Sequence, residues 1–324
     1  MPNVIELVTK YLPILDEQYK LASKSAILDY PAEWIRETEN AKKIKIAKIS
    51  TDGLADYSRN SGFVAGDIDL TWEEHEFTKD RGRRLQVDAL DNIETMQLAF
   101  GRLAGTFNDQ AVIPELDAYR FNTYYKAAST KTGAAYNGTA IQIANGVNGL
   151  TNANILSTID DLDAAMDDAL VPEEGRILFV DPTRYKLIVN DTTISKSLDV
   201  NDTMSKALNK KIYDYNGHPI IKVPANRFYT ALTFKNGTSS GQEAGGYTGS
   251  GNIGLLMISK PSVVQIVKRA IARFWAPTKA EMDANGADGV NPNADAWAFD
   301  YRTYHDAWVL DNKVKGIGVV VATA

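Results

Sequence analysis

Residues 91–125 read DNIETMQLAFGRLAGTFNDQAVIPELDAYRFNTYY and form the longest segment of the chain with sustained helical periodicity. Asp91 or Asn92 can cap its start. Pro114 cannot donate to the helical ladder, which predicts a kink or a short break near Val112. A helix of this length would reach roughly 50 Å, so we predict a spine against which other elements pack. Apolar residues recur at three, four or seven positions and define one stripe: Ile93, Met96, Phe100, Leu103, Phe107, Ala111, Ala118, Phe121 and Tyr125.

The composition excludes several classes of protein. With 324 residues, 44% apolar and 23% charged, the chain is typical of a soluble globular protein of one elaborated domain or two domains. No apolar run approaches the roughly 18 residues that span a bilayer, and the acidic N-terminal segment does not resemble a secretion signal. The absence of cysteine excludes disulfides and thiolate metal sites. The net charge of −6 argues against a primary nucleic-acid binder.

The segment before the spine changes from a helical pattern to a strand pattern. Residues 1–40 contain two short helical runs, which we interpret either as a cap on the chain's own core or as an arm that packs on a neighbouring subunit. From Lys42 to Leu90 the period becomes two, and a tip rich in Gly, Asn and Asp separates two strands. This pattern predicts a long hairpin with polar residues on both sides. Such a hairpin needs support from elsewhere in the chain or from another chain.

The segment after the spine alternates short helices and strands, which indicates an α+β lobe at residues 134–259. We predict a helix at Asn154–Ala169, a buried strand at Arg176–Val180 and a helix capped by Asp181. Asn216-Gly217 marks a hairpin. Residues 235–252 predict a mobile, surface-exposed loop.

The C-terminal segment is again typical of strands. Val263–Trp275 and Trp297–Leu310 predict two long antiparallel strands that continue through a turn into Val314–Val321. The aromatic face of this meander is suited to cover the apolar stripe of the spine. The chain would therefore be α+β, with the spine against the C-terminal strands.

The sequence contains little that indicates catalysis. Its three histidines, His75, His218 and His305, lie in separate segments, and His75 and His305 are interpreted as structural or solvated. The G-x-G-x-x-G match at 249–254 follows a loop and precedes a strand, whereas a dinucleotide site requires a helix there. The G-x-S-x-G match at 237–241 lies within the same loop. We therefore predict no enzymatic activity, no cofactor and no metal.

Two minor alternatives remain open at this stage. The aspartates between residues 160 and 168 are interpreted as a solvated helix face, with calcium binding as the alternative. A ligand-binding or hydrolytic site in the α+β lobe would have to use Asp181, His218 and Ser239. No convincingly placed nucleophile and base supports this second alternative.

Three stretches carry a resemblance to a known family: FTKDRGRRLQVDALDN (77–92), VIPELDAYRF (112–121) and WAFDYRTYHDAWVLDNKVKGI (297–317). Together with the order of the elements, they resemble the tailed-bacteriophage major capsid proteins, which have the Hong Kong 97-type fold also found in encapsulin shells. The resemblance implies five regions: an N-terminal arm (1–40), an extended loop (41–90), the spine helix (91–133), an axial domain (134–259) and peripheral-domain strands (260–324).

The resemblance also implies a function. The chain would be a non-enzymatic virion protein that assembles in the host bacterial cytoplasm, as hexamers and pentamers, into an icosahedral shell around double-stranded DNA. Its partners would be other copies of itself, a portal, a separate scaffolding protein and decoration proteins, with weak nonspecific DNA contact and no membrane. The alternative is an encapsulin-like compartment that packages protein cargo. The residues expected at subunit contacts are Leu7, Tyr11, Trp72, Phe77, Arg81, Arg83 and Arg84.

Overall fold

The computed structural model describes most of the chain after the N-terminal arm. Leu7 and Tyr11 lie outside the described residues, and so does the first part of the spine, from 91 to 102. The described residues are 22–29, 36–37, 43–89, 103–131, 140–143, 149–191, 212–275 and 296–320.

Helices and strands are mixed along the chain, as the sequence predicts. The helices are α1 (Leu103–Phe107), α2 (Ile113–Thr130), α3 (Ile155–Asp168) and α4 (Pro182–Val189). The strands are β1 (Arg36–Glu37), β2 (Lys43–Thr51), β3 (Ile68–Glu76), β4 (Lys79–Asp88), β5 (Ile141–Ile143), β6 (Arg176–Val180), β7 (Asp214–Tyr215), β8 (His218–Lys222), β9 (Ala231–Phe234), β10 (Tyr247–Ser250), β11 (Leu255–Ser259), β12 (Val263–Trp275), β13 (Ala296–Val309) and β14 (Ile317–Val320). Short 3₁₀ turns occur at Ala26–Leu28, Ala225–Arg227, Lys260–Ser262 and Asp311–Gly316.

The described part of the spine is continuous from α1 to α2. A π-helical segment at Asn108–Val112 joins them, directly before the turn that contains Pro114. The predicted irregularity near Val112 is therefore present, but it is a wider turn rather than a break. A π-turn accommodates an extra residue, which relieves the conflict between the proline ring and the preceding turn.

A three-stranded antiparallel sheet in the order β12–β13–β4 covers one side of the spine. Phe107 meets Phe299 and Tyr301 edge to face, with ring centroids 6.1 and 5.8 Å apart. The aromatic packing predicted between the C-terminal strands and the spine is confirmed. Residues 79–88, at the end of the segment predicted to alternate with a period of two, form the edge strand β4 of this sheet.

A mixed six-stranded sheet lies on the other side of α2, in the order β5–β14–β11–β6–β8–β7. All five residues of β6 are buried, as predicted, and α3 buries Ile155, Ile159, Leu162 and Met166. β14 was expected to continue the C-terminal meander. Instead it pairs with β11 and β5, because the turn at Asp311–Gly316 redirects the chain into the second sheet.

Two local predictions are confirmed in the α+β lobe. The carboxylate of Asp181 accepts a hydrogen bond of 2.7 Å from the Arg184 N–H and caps α4. Asn216 and Gly217 both have positive φ, at 50° and 80°, as a tight two-residue hairpin requires.

The loop predicted at residues 235–252 is shorter than expected, because residues 247–250 form β10 and pair with β9.

A buried carboxylate on α2 binds the segment that precedes the hairpin. Asp117 is fully buried and accepts hydrogen bonds from the hydroxyls of Ser23 (2.6 Å) and Ser25 (2.7 Å) and from the Lys24 N–H (2.9 Å). Nη1 of Arg227 lies 3.0 Å from the same carboxylate. The sequence places Asp117 beside the apolar stripe without indicating that it is buried.

We expect Asp117→Ala to lower the free energy of unfolding by about 3–5 kcal/mol, because it leaves the buried Arg227 guanidinium without its carboxylate. Urea denaturation followed by circular dichroism measures the change. Asp161→Ala is the matched control, since Asp161 is an exposed aspartate on α3, and its effect should stay within about 0.5 kcal/mol. Equal effects of the two substitutions would contradict the role assigned to Asp117.

Candidate assembly interface

The hairpin formed by β2 and β3 has two faces with different compositions. Its register pairs Lys43 with Glu76 and Thr51 with Ile68 without interruption. Directly paired residues share a face, and the faces alternate along each strand. We call the half next to Lys43 and Glu76 the base, and the half next to Thr51 and Ile68 the distal half.

The base of the hairpin is fixed to its own chain. The Glu73 carboxylate lies 2.8 Å from Nε2 of His75 and accepts a hydrogen bond of 3.2 Å from the Asp311 N–H. The His75 ring stacks on Trp308 at a centroid distance of 5.1 Å. Burial raises the pKa of Glu73, but the hydrogen bond and charge of His75 and the Asp311 N–H outweigh it, so the pKa lies below its usual range. The base is thereby held as a rigid support.

The distal half has one apolar face that the described part of the chain leaves exposed. On this face Ala47 pairs with Trp72, Ile49 with Leu70, and Thr51 with Ile68. Ile49 is 61% exposed, Leu70 56% and Ile68 75%. The opposite face carries Lys48, Ser50, Asp69 and Thr71. The prediction of polar residues on both sides is therefore wrong for the distal half, and the period-two spacing of Ile68, Leu70 and Trp72 could have revealed this.

Exposed apolar residues are concentrated in this hairpin. Of the 13 large hydrophobic residues that are exposed in the described part of the chain, eight lie between residues 43 and 76. Single exposed apolar residues are common on monomers, whereas a contiguous set indicates a contact surface. We define the distal apolar face as Ala47, Ile49, Ile68, Leu70 and Trp72.

Phe77 and the three arginines expected at subunit contacts have partners in their own chain. Phe77 is 3% exposed and packs between Tyr304 and Trp308. Arg84 binds Asp300 with two hydrogen bonds, of 2.5 and 2.7 Å. Of the expected contact residues in the described part of the chain, Trp72 is the one that lies on the distal apolar face.

Arg81 and Arg83 contact the loop at residues 235–246. Arg81 pairs with Glu115 at 2.7 Å and donates to the carbonyls of Lys235 and Gly246. Arg83 donates to the Glu243 carbonyl at 3.0 Å. The loop predicted to be mobile is therefore bound to β4 by two guanidinium groups.

A cavity of about 260 Å³ lies beneath this loop. It opens between the spine at Val112, the strands β4 and β13, and the loop itself. His305 lines the cavity and is 3% exposed, and its Nδ1 is without a hydrogen-bond partner among the described residues. Burial lowers the pKa of His305 to about 4, and the nearby charge of Arg120 acts in the same direction. His305 is thus neutral at pH 7.

The residues considered for a hydrolytic site have separate structural roles. His218 pairs with Asp163 at 2.9 Å, beside the fully buried Arg176. Asp181 caps α4, and Ser239 hydrogen-bonds to Asn236 in the loop. Among the described residues, no group of three or more His, Asp or Glu side chains is arranged to hold a metal. No helix in the same ranges combines the length and apolarity needed to cross a bilayer.

Comparison with solved structures identifies the fold. The capsid structure of the cyanophage P-SCSP1u aligns with a TM-score of 0.65 and 14% identity, over 97% of this chain and 92% of that chain. The asymmetric unit of the bacteriophage PhiM1 mature capsid aligns with a TM-score of 0.67 and 12% identity, over 98% and 92%. A Mycobacterium phage Che8 structure aligns with a TM-score of 0.58 and 12% identity, over 98% and 96%.

Neither a protein-family model nor a curated protein sequence matches the chain. At identities this low, the structural likeness establishes the fold. The chain shares the fold of phage capsid chains over nearly its whole length, which confirms the resemblance and the α+β class deduced from the sequence. The boundaries assigned to the five regions stay predictions.

We expect the stability of the protein to fall by roughly 3 kcal/mol between pH 6.5 and pH 4 through His305 alone. The unfolded chain binds a proton near the ordinary histidine pKa of 6.5, whereas the folded chain binds it only near pH 4. The contribution of His305 to the free energy of unfolding is therefore complete above pH 6.5, and it is lost as the pH falls toward 4. Urea denaturation at a series of pH values measures it.

His305→Phe should flatten this pH dependence because the titrating group is removed. Thr303→Val is the control, since it changes another buried residue of the cavity lining and leaves the histidine in place. An unchanged slope in His305→Phe would show that His305 is not the group responsible.

Proposed function

We propose that this protein is a structural capsid protein whose copies assemble into a closed shell. The observation that supports the proposal most strongly is the distal apolar face of the hairpin, carried on a chain with the fold of phage capsid chains. The short strand β1 pairs with β2 only at residues 44–45, so the distal half is a two-stranded ribbon. Such a ribbon is marginal in water on its own, and its unpaired edges favour association. Another copy of the chain is the partner that explains why the hairpin is long, rigid at its base and apolar beyond it.

The proposed shell consists of hexamers and pentamers that share one type of interface. A specific protein contact buries at least about 1,000 Å² over both partners, and the distal apolar face would contribute part of this area. The N-terminal arm, with Leu7 and Tyr11, would supply further contact area. The acids that pair with Arg81 and Arg84 belong to the same chain, so the contribution of these arginines to neighbouring copies would be secondary.

The shell would enclose double-stranded DNA and contact it only weakly. Affinity for DNA depends on the number of phosphates that Lys and Arg neutralise, and this chain has 35 Lys and Arg against 41 Asp and Glu. A portal, a separate scaffolding protein and decoration proteins would be its partners in the virion. The protein would have no enzymatic role, since the lobe residues Asp181, His218 and Ser239 have structural partners.

We expect Leu70→Asp to abolish shell assembly without unfolding the protein. The substitution places a charge on the distal apolar face, which must be desolvated against another copy. Leu70 is 56% exposed in the single chain, so the free energy of unfolding should change by no more than about 0.5 kcal/mol. Electron microscopy and light scattering measure assembly, and circular dichroism measures folding.

Thr71→Asp is the matched control for this experiment. Thr71 is the next residue of the same strand, is exposed and lies on the opposite face. The Thr71→Asp protein should assemble like the wild type.

Deletion of the segment from Ser50 to Leu70 should, like Leu70→Asp, give a folded protein that forms no closed shells. Normal shells from Leu70→Asp or from the deletion would contradict the assignment of the hairpin as the assembly element.

A further inference from the structure

The tip of the hairpin, residues 52–67, is a compact turn with an exposed aromatic pair. Ser58 and Gly62 exchange backbone hydrogen bonds of 3.2 and 2.8 Å and close the turn. The rings of Tyr57 and Phe63 are in contact at a centroid distance of 4.8 Å. Phe63 is 90% exposed, and Leu54 is fully exposed. The tip therefore presents an ordered apolar group to solvent, at a low entropic cost of binding.

The cavity beneath the loop at residues 235–246 has room for an aromatic side chain and a partly apolar lining. Its volume of about 260 Å³ is roughly nine times the volume share of one water molecule, which is room for an aromatic side chain. The apolar part of the lining is formed by Leu85, Phe107, Val112, Leu116 and Tyr301. His305 adds a buried nitrogen without a partner among the described residues, and a tyrosine hydroxyl has the capacity to bond with such a nitrogen.

The two surfaces also have opposite charge. The tip carries three aspartates, Asp52, Asp56 and Asp67, against the single Arg59, so its net charge is −2. The cavity lining carries the cations Arg81, Arg83 and Lys235 against Glu115, so its net charge is +2. Opposite potentials orient two surfaces as they approach and fix their register.

We infer that the hairpin tip of one copy docks, with Tyr57 and Phe63 leading, into the cavity beneath the 235–246 loop of a second copy. This inference rests on the proposed function and names the receiving site. Two glycines allow the loop to approach Arg83 closely. A Cβ at Gly237 or Gly245 would lie 3.2 or 3.1 Å from the Arg83 guanidinium, and both residues have positive φ. The Arg83 guanidinium therefore lies against the loop, and Arg83 is part of the cavity lining.

Thiol cross-linking between two single-cysteine proteins tests this inference, because the chain has no cysteine of its own. Ser61→Cys places a thiol on the tip, and Ala244→Cys places one at the cavity. The two proteins, one of them carrying a mass tag, are mixed, assembled and treated with a short bismaleimide. The mixed pair forms a covalent dimer only between copies. We expect a several-fold higher yield of this dimer than from Ser61→Cys mixed with Leu170→Cys, because Leu170 is exposed and is not part of the cavity lining.

A second substitution tests the role of the aromatic pair. Phe63→Ala, added to Ser61→Cys, should reduce the yield several-fold, whereas Phe274→Ala, which alters another exposed phenylalanine, should not. Particles that assemble with a yield no higher than the Leu170 control would overturn the inference and leave the proposed function intact. Wild-type protein that forms no particles would overturn both.

Discussion

The spine helix α2 packs between two sheets, and the buried carboxylates at this junction require hydrogen-bond donors or cations as partners. Asp117 meets this requirement by accepting hydrogen bonds from the serines of the 22–29 segment and pairing with Arg227. Asp306 does the same on the sheet side, where it accepts from Tyr119 and Thr78. An unpaired buried charge would cost several kcal/mol, so these contacts fix the N-terminal segment, the hairpin base and the C-terminal strands relative to one helix.

This junction explains why the hairpin differs between its two halves. Glu73 and Phe77 bind the base to the sheet around Trp308, so the base behaves as part of the folded chain. Beyond it, the distal apolar face has no element of the described chain to cover it. A rigid support that ends in an uncovered apolar surface is suited to join one copy to the next, because little conformational entropy remains to be lost on contact.

Much of the fold was predictable from sequence because its signals are local. The periods of α3 and β6, the cap at Asp181 and the Asn216-Gly217 turn each depend on residues close together in the chain. The pairing of β14 with β11 and β5 was not predictable. The turn at 311–316 decides which sheet the strand joins, and hydrophobic periodicity indicates a strand without indicating its partners. The burial of Asp117 and of Phe77 escaped prediction for the same reason, because their partners are distant in sequence. The alternation of Ile68, Leu70 and Trp72 indicates one apolar face of β3. The register with β2 is also needed to show that Ala47 and Ile49 lie on the same face.

We propose that copies of this chain complete one another in a closed shell, and negative-stain electron microscopy of the purified protein, with light scattering on the same sample, measures this assembly. We expect closed particles, tubes or ring-shaped hexamers and pentamers. A monodisperse monomer or dimer that stays unchanged with added scaffold or crowding agent would contradict it.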